Sequence, residues 1–549
     1  MFFSLVIAAL FAVVVWLAAR VPGALLDLFE RGHWLGPASD MLAGKIPYRD
    51  TFPIHGFLSD GGLDYLLFRI TSPDFSTSVD ARQLLGSFFQ PALFLVAAAA
   101  SRNVPLAVAT VPLNLGMSTA ILADRPVLPL LSLAAFAWAI TEDRSRARTF
   151  FAGLLAAVGL LYALEFGIYV IAAEILTLAV DRLTPKRRRH SSLAGAWYFL
   201  GLGAVLIPWF AFLAAFGALV PFLKVSFWDL PVRFHTIWPV HFPFPWEFLR
   251  EWANRRVDFL RDQGVSAEIA KRLYLAPLLG VSGAVLAVLR RVRGAAPIPA
   301  LRLLAVSLAC AAFFRSVVAR FHVEAGNALV GPVVFLALLT AFEAFGRKRR
   351  LAFLLAAVGV LAAFAVGGPG RVLALFRNAA QFHRRTAALP WTVPLTVARG
   401  GGMRVPRDEE QNLRALLDFT DRNVPPSAPV LDLSNRASLY FFSQRVNPTR
   451  FYEVPPMAAF EDEVLGAIQR NPPALVYLQS GGWLDAIDGV PNSRRIPRVW
   501  SWVLRNYLVR VKVGDTTVAL PRRNGIGLNR PDACLRSSPS APPPAGRSP

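Results

Sequence analysis

The chain has 549 residues, of which 54% are hydrophobic, and a mean hydropathy of +0.44; the apolar excess is gathered in blocks of about twenty residues, the length that crosses a bilayer, which excludes an ordinary soluble globular fold. Much of the net charge of +22 sits in short Lys/Arg tracts between those blocks, a membrane-topology pattern suited to anionic lipid, and nucleic acid is excluded as a partner. The two cysteines, Cys310 and Cys534, form neither CxxC nor a paired framework, which excludes a disulfide scaffold and a thiolate metal centre.

In chain order, the first apolar block is Phe2 to Ala19. It lacks a small-residue cleavage site and more spans follow, so it reads as a retained helix and not a signal peptide. A polar loop at 21–82 comes next. Further blocks lie near 83–100, 104–122, 126–141, 149–164, 166–182, 196–222, 272–289, 298–314, 327–346 and 351–367. With about eleven spans, the basic tracts at 143–148, 186–189, 290–293 and 347–350 all fall on one side, which the positive-inside rule makes cytoplasmic. The N-terminus is then inside. The loops 21–82, 223–271 and 315–326, and everything from 368 onward, are outside.

Beyond 368 the pattern changes. Asp408 to Arg422 reads as an amphipathic helix carrying Leu413, Leu416, Leu417 and Phe419. Ala428 to Leu433 and Ala474 to Leu478 read as buried strands, and Tyr507 to Leu520 as a hairpin turning at Gly514-Asp515. From 522 the chain is rich in Pro, Ser and Arg and reads as disordered. The expected organisation is a polytopic α-helical membrane domain at 1–367, a small extracytoplasmic α/β domain at 368–521 and a tail at 522–549.

The first external loop carries the most chemistry. Trp34, Leu35, Ala38, Met41 and Leu42 recur at helical spacing and make an apolar stripe suited to the membrane interface, with His33 and Asp40 opposite and Glu30 at the margin. Pro37 interrupts this helix or opens a shorter one. Gly44 ends it, and Ile46-Pro47-Tyr48 continues extended.

An acidic residue just past the first span, a small helix and then Gly44-Lys45-Ile46-Pro47-Tyr48-Arg49-Asp50 resemble the first periplasmic loop of GT-C-type membrane glycosyltransferases. The nearer likeness is to bacterial members related to the dolichyl-phosphate-mannose mannosyltransferase and aminoarabinose transferase families. The motif covers about Asp27 to Asp64, and the layout is similar over nearly the whole chain. Two departures stand out. Phe29 occupies the place of the family's Asp in its Asp-Glu pair, and Phe52-Pro53-Ile54-His55 replaces its Pro-Pro-Leu. The resemblance implies a multi-span bundle, a catalytic carboxylate in the first external loop and a polyprenyl-phosphate-linked sugar donor. It also implies a lipid, glycan or protein acceptor at the outer face of a bacterial inner membrane.

Such a transfer needs a carboxylate to take the acceptor's proton and basic groups to meet the departing lipid phosphate. Glu30 is the leading base, followed by Asp50 and Asp27; the alternatives are a solvated helix-end carboxylate for Glu30 and a partner of Arg49 for Asp50. Tyr48, Arg49 and Glu165 are substrate-binding candidates, the alternative for Tyr48 being a residue that shapes the loop. His33 and His55 are substrate-binding candidates, or hydrogen-bonded structural histidines. Glu165, in a hairpin too short for an ordinary loop, is expected to face a cavity. Arg315, Arg320 and His322 resemble a phosphate-binding segment of the family, the alternative being lipid-headgroup contact. No cofactor is predicted and a divalent metal stays open: one carboxylate can act as base without a metal, and a metal would need several ligands close together. Walker, HExxH and GxSxG motifs are absent from the sequence. Interior charges fall mainly near span ends and no paired halves recur, so a transporter or flippase ranks below a transferase. A non-catalytic relative is the third reading.

Overall fold

The computed structural model describes residues 2–19, 26–117, 121–140, 145–183, 188–237, 275–292, 297–320, 329–334, 336–337, 368–382, 389–479, 481–514 and 516–522. The span expected at 351–367, the basic tract 347–350, His322, most of the 223–271 loop and the 523–549 tail lie outside these residues.

Helices dominate the first part of the chain: α1 (Phe2–Ala19), α2 (Gly32–Leu42), α3 (Leu63–Ile70), α4 (Phe75–Ser87), α5 (Phe89–Ser101), α6 (Val104–Met117), α7 (Val127–Ala139), α8 (Arg146–Tyr162), α9 (Leu164–Arg182) and α10 (Arg188–Ala215). Two more follow, α11 (Leu275–Val292) and α12 (Pro297–Arg320). Among the described residues four segments are long and apolar enough to cross a bilayer: Phe2–Ala19, Phe75–Ser101, Gly195–Ala215 and Ile298–Arg315. The chain is thus a polytopic helical membrane protein. The span expected at 83–100 starts earlier because α4 runs into α5. The polar residue that hid this extension, Arg82, is buried inside the bundle against Asp64, with Nε 3.1 Å from Oδ2.

The bundle core is alanine-rich where α5, α7, α8, α9 and α12 meet. One charge lies deeper than hydropathy suggested. Glu174, midway along α9, is fully buried, and it accepts hydrogen bonds from Tyr198 of α10 at 2.5 Å and Ser132 of α7 at 3.1 Å. Helix α13 (Gly368–Ala380) packs along α1 and α6, so the helical part extends past 367.

The C-terminal part is α/β. A two-stranded ribbon, β1 (Thr392–Pro394) and β2 (Arg404–Pro406), leads into α14 (Arg407–Asn423). The four-stranded sheet has the order β3-β4-β6-β5, with β3 (Val430–Leu433), β4 (Leu475–Gln479), β5 (Tyr507–Val513) and β6 (Thr516–Pro521). β3 and β4 are parallel and buried along their whole length, in keeping with their largely apolar sequences, and the buried Asp432 of β3 accepts from the N–H of Ser434 at 2.8 Å. β5 and β6 form the expected hairpin.

The first loop and this α/β layer share a core. Leu35 and Ala38 of α2 cluster with Leu395, Leu413, Leu439 and Val430. The apolar stripe of α2 therefore packs against protein, not the membrane interface, and Asp40 on its other face is buried too. Asp40 Oδ2 accepts from Lys45 Nζ and from Tyr452 OH, each at 2.7 Å, and Lys45 Nζ also donates to the Asn447 carbonyl at 2.7 Å. Helix α2 continues through Pro37 and is ended by Gly44 at φ +94°.

Candidate active site

The site begins where the chain leaves α1. Asp27 Oδ1 accepts from the backbone N–H of Phe29 at 3.1 Å and of Glu30 at 2.9 Å, a local turn that launches α2. That leaves Glu30 as the exposed carboxylate at the helix start, its side chain 55% accessible. One turn on, His33 is nearly buried. Its Nε2 lies 3.9 Å from Glu30 Oε2, and its Nδ1 lies 2.5 Å from Glu453 Oε1. Glu453 is only 2% exposed and precedes the short helix Val454–Ala459, so the C-terminal region supplies this carboxylate.

His33 also meets His55, with ring centroids 5.6 Å apart and planes at 82°. His55 Nδ1 is 3.0 Å from Asp60 Oδ1, and Asp60 Oδ2 accepts from the backbone N–H of Ile54 at 2.5 Å and of His55 at 2.8 Å. Burial pushes the His55 imidazole down to about 4, helped by the Arg125 charge and only partly opposed by Asp60. Burial alone would raise Asp60, but the His55 ring and backbone N–H outweigh it and hold the carboxyl at about 2. Near neutral pH a neutral His55 thus donates from Nδ1 to an ionised Asp60 and keeps an acceptor at Nε2.

Two glycines bring the backbones together. Gly61 has φ +101°, and a Cβ there would sit 2.7 Å from Trp34 O and Ala38 N of α2. Gly56 has φ +147°, and a Cβ there would sit 2.6 Å from Tyr162 O at the end of α8. Only glycine fits either place. The His55 carbonyl accepts from Leu164 N at 2.6 Å, which docks the first loop on the turn between α8 and α9.

That turn places Glu165 in the first turn of α9, 3.8 Å from Arg125 Nη1. Next to Arg125, Asp124 accepts from Tyr162 OH at 2.7 Å and lies 3.2 Å from Arg82 Nη1. Glu30, His33 and His55 thus lie next to one another, while Glu165 faces Arg125, whose charge acts on His55.

The other expected residues lie elsewhere. Asp50 Oδ2 accepts from Ile46 N at 2.9 Å and from Arg49 Nη2 at 2.7 Å, and Arg49 Nη1 donates to the Phe216 carbonyl at 3.1 Å. These bonds close the 46–50 turn on the end of α10. Tyr48 is buried with φ +65°, its ring edge-on to Phe222 at 4.8 Å. Arg315 is exposed near the end of α12; the Arg320 side chain and His322 are outside the described residues. Among the described residues no group of three or more His, Cys, Asp or Glu side chains is arranged to hold a metal ion.

Sequence reasoning missed Asp60, Arg125 and Glu453. Asp60 had a local signal, the tight Ser59-Asp60-Gly61-Gly62 segment. Glu453 had none near it in the chain.

No protein-family model matches the chain, and no curated protein sequence matches it. Among solved structures it is similar to ArnT from Cupriavidus metallidurans bound to undecaprenyl phosphate, at 13% identity and TM-score 0.48, over 94% of this chain and 97% of that one. The apo state of the same ArnT gives 13% identity and TM-score 0.39 over the same shares, 94% and 97%. The Archaeoglobus fulgidus oligosaccharyltransferase in complex with zinc and sulfate gives 14% identity and TM-score 0.45, over 87% of this chain and 68% of that one.

Proposed function

We propose that this protein is a membrane glycosyltransferase of GT-C type. It moves a sugar from a polyprenyl-phosphate donor to a lipid, glycan or protein acceptor at the outer face of a bacterial inner membrane. The observation that carries the reading is Glu30: an exposed carboxylate just beyond the first apolar helix, backed 3.9 Å away by a histidine that faces a buried carboxylate. In this reading the N-terminus is cytoplasmic and the α/β region that follows α13 is extracytoplasmic.

Glu30 takes the proton of an acceptor hydroxyl as its oxygen bonds to the anomeric carbon. The bond from that carbon to the phosphate oxygen breaks, and the electron pair leaves with the lipid phosphate. Glu453 orients His33, and the His33 ring beside Glu30 offers Nε2 towards the proton it gains. Arg125 and Arg315 offer guanidinium donors to the phosphate. Asp50 ranks below Glu30 because its carboxylate is already committed to Arg49 and Ile46.

A non-catalytic relative is the second reading, and Phe29 favours it. Its ring is buried against His33 and Trp483, at 5.2 Å from each, where the family resemblance implies a carboxylate.

The test is native mass spectrometry of the detergent-purified protein, wild type beside Glu30→Gln and Arg125→Ala/Arg315→Ala. Wild type should carry a polyprenyl phosphate, and Glu30→Gln the undischarged sugar-bearing form. The double variant should carry neither. A folded wild type that retains no such lipid, even when it is supplied, rejects the transferase reading.

A further inference from the structure

Asp124 and Arg125 of the candidate site stand just before α7. The opposite end of that 13-residue helix, about 20 Å away, gathers arginines from three other helices. Helix α7 stops at Ala139 because Ile140 leaves it in an extended conformation, which strands carbonyls at the C-terminus. Two guanidiniums take them. Arg102, the left-handed residue at φ +58° that ends α5, donates from Nη2 to the Trp138 carbonyl at 2.6 Å. Arg302, near the start of α12, donates to the Ile140 carbonyl from Nε at 3.1 Å and Nη2 at 2.7 Å. The third is Arg148, in the first turn of α8, whose guanidinium lies over the Trp138 ring, 4.5 Å from its centroid. Trp138 and Ile140 are two residues apart, so their Cα atoms are no more than about 7 Å from each other.

The three cations keep open donors. Among the described residues Arg102 is exposed with Nε and Nη1 unbonded, and Arg148 makes no hydrogen bond. Arg302 Nη1 is unbonded too, yet it is not closed off from the surface. Nor does any described carboxylate form an ion pair with them. Burial, and after it the Arg148 charge, lowers the pKa of Arg102, and the Arg102 charge acts in turn on Arg302. Over the whole stretch 138–148 together with Arg102 and Arg302, five arginines stand against Glu142 and Asp143, so this end of the bundle is cationic.

Forked donors of one sign, held close together, are complementary to a phosphate, which each guanidinium can meet through parallel N–H groups. Depth then selects the source. Arg102 directly follows the apolar segment Phe75–Ser101, Arg302 lies four residues inside the one at Ile298–Arg315, and Trp138 is next to the last residue of α7. This is the level at which span ends, tryptophans and lipid headgroups meet. We infer that Arg102, Arg148 and Arg302 form a binding site for the phosphate of an anionic phospholipid, at the end of the bundle opposite the candidate site of transfer. Arg102 and Arg302 lie outside all four basic tracts, so only the fold assembles this site. A lipid held there braces α5, α8 and α12 around the end of α7. The site does not depend on the transferase reading; the proposed topology decides only the leaflet, which it makes the cytoplasmic one, where anionic lipid attracts basic residues.

The test uses full-length protein in mild detergent, stripped of lipid and titrated in native mass spectrometry with phosphatidylglycerol, phosphatidylcholine or inorganic phosphate. Wild type should bind the first phosphatidylglycerol about tenfold more tightly than phosphatidylcholine. Arg102→Gln/Arg148→Gln should lose that preference at unchanged Tm, whereas Arg125→Ala/Arg315→Ala should keep it. If the Gln double variant has a lower Tm, Arg148→Gln alone is read, since its guanidinium makes no hydrogen bond within the protein. It should still weaken phosphatidylglycerol binding severalfold, and Arg148→Lys should weaken it less. Equal binding of the two lipids by wild type, an unchanged preference in the Gln variants, or its loss only in Arg125→Ala/Arg315→Ala overturns the inference. Displacement of phosphatidylglycerol by millimolar inorganic phosphate also overturns it, and assigns the cluster to a soluble phosphate ligand.

Discussion

His33 of the first loop and Glu453 of the C-terminal region stand with Nδ1 and Oε1 2.5 Å apart, both side chains almost wholly buried. The contact joins the segment that carries Glu30 to the α/β layer, so the site is complete only when the two are docked. Glu453→Gln keeps the size of the side chain but removes its charge. Leaving a buried polar group without the partner it faces costs about 1–3 kcal/mol. The thermal midpoint of the variant in detergent should fall accordingly, and transfer should fall with it. A midpoint unchanged from wild type would show that the pair does not hold the two parts together.

The His55–Asp60 pair gives the protein an acid limit. His55 sits at about 4 in the folded protein against an ordinary 6.5, so below 6.5 the unfolded chain binds more protons than the folded one. Stability from this group is complete above 6.5 and is lost as pH falls from 6.5 towards 4. Asp60 is held at about 2 against an ordinary 3.8, so its contribution is present above 3.8 and lost between 3.8 and 2. The two effects share a sign and follow each other downward in pH. Thermal midpoints recorded from pH 7.5 to 4 should decline, and His55→Gln should flatten the decline between 6.5 and 4. An equally steep variant would refute the assignment.

Glu30 and Asp50 are separated by what already binds them. Asp50 is engaged by Arg49 and by the Ile46 N–H, whereas Glu30 stands exposed beside His33. A general base contributes about 10²–10⁴-fold to a rate. Glu30→Gln should therefore lower single-turnover transfer by at least about 10²-fold without lowering Tm. Asp50→Asn should do the reverse, lowering Tm through the loosened 46–50 turn and leaving the rate within a few-fold. A swap of those two outcomes would move the base to Asp50.

The local patterns of the chain were readable, while the partners of each face were not. The helix at Arg407–Asn423 and the strands at Val430–Leu433 and Leu475–Gln479 follow directly from periodicity and from buried apolar runs. The stripe on α2 was readable as apolar, but an amphipathic stripe looks the same whether lipid or protein covers it; here Leu395, Leu413 and Leu439 do. Glu30 could be picked out because its neighbours form a motif. Glu453 could not, since only the tertiary fold brings it to His33. Arg82 and Glu174 mislead a hydropathy count for the same reason: each is a polar residue whose partners, Asp64 for one and Tyr198 with Ser132 for the other, come from elsewhere in the chain.

Glu174 also gives a way to separate transfer from transport. An ionisable group buried among spans is costly and marks a functional path by default, and a coupled transporter would need it to exchange protons or ions. Its two partners argue for a structural role, because Tyr198 and Ser132 each engage one oxygen and tie α9 to α10 and α7. Glu174→Gln keeps an acceptor for at least one of these hydroxyls and should retain both Tm and transfer. Glu174→Leu leaves the buried Tyr198 hydroxyl without its acceptor and should cost about 1–3 kcal/mol, read as a lower Tm. If instead Glu174→Gln abolishes function while Tm is preserved, the carboxylate is needed for its charge. The transport reading then gains over the transferase, because no step at Glu30 calls on a proton held in the middle of α9.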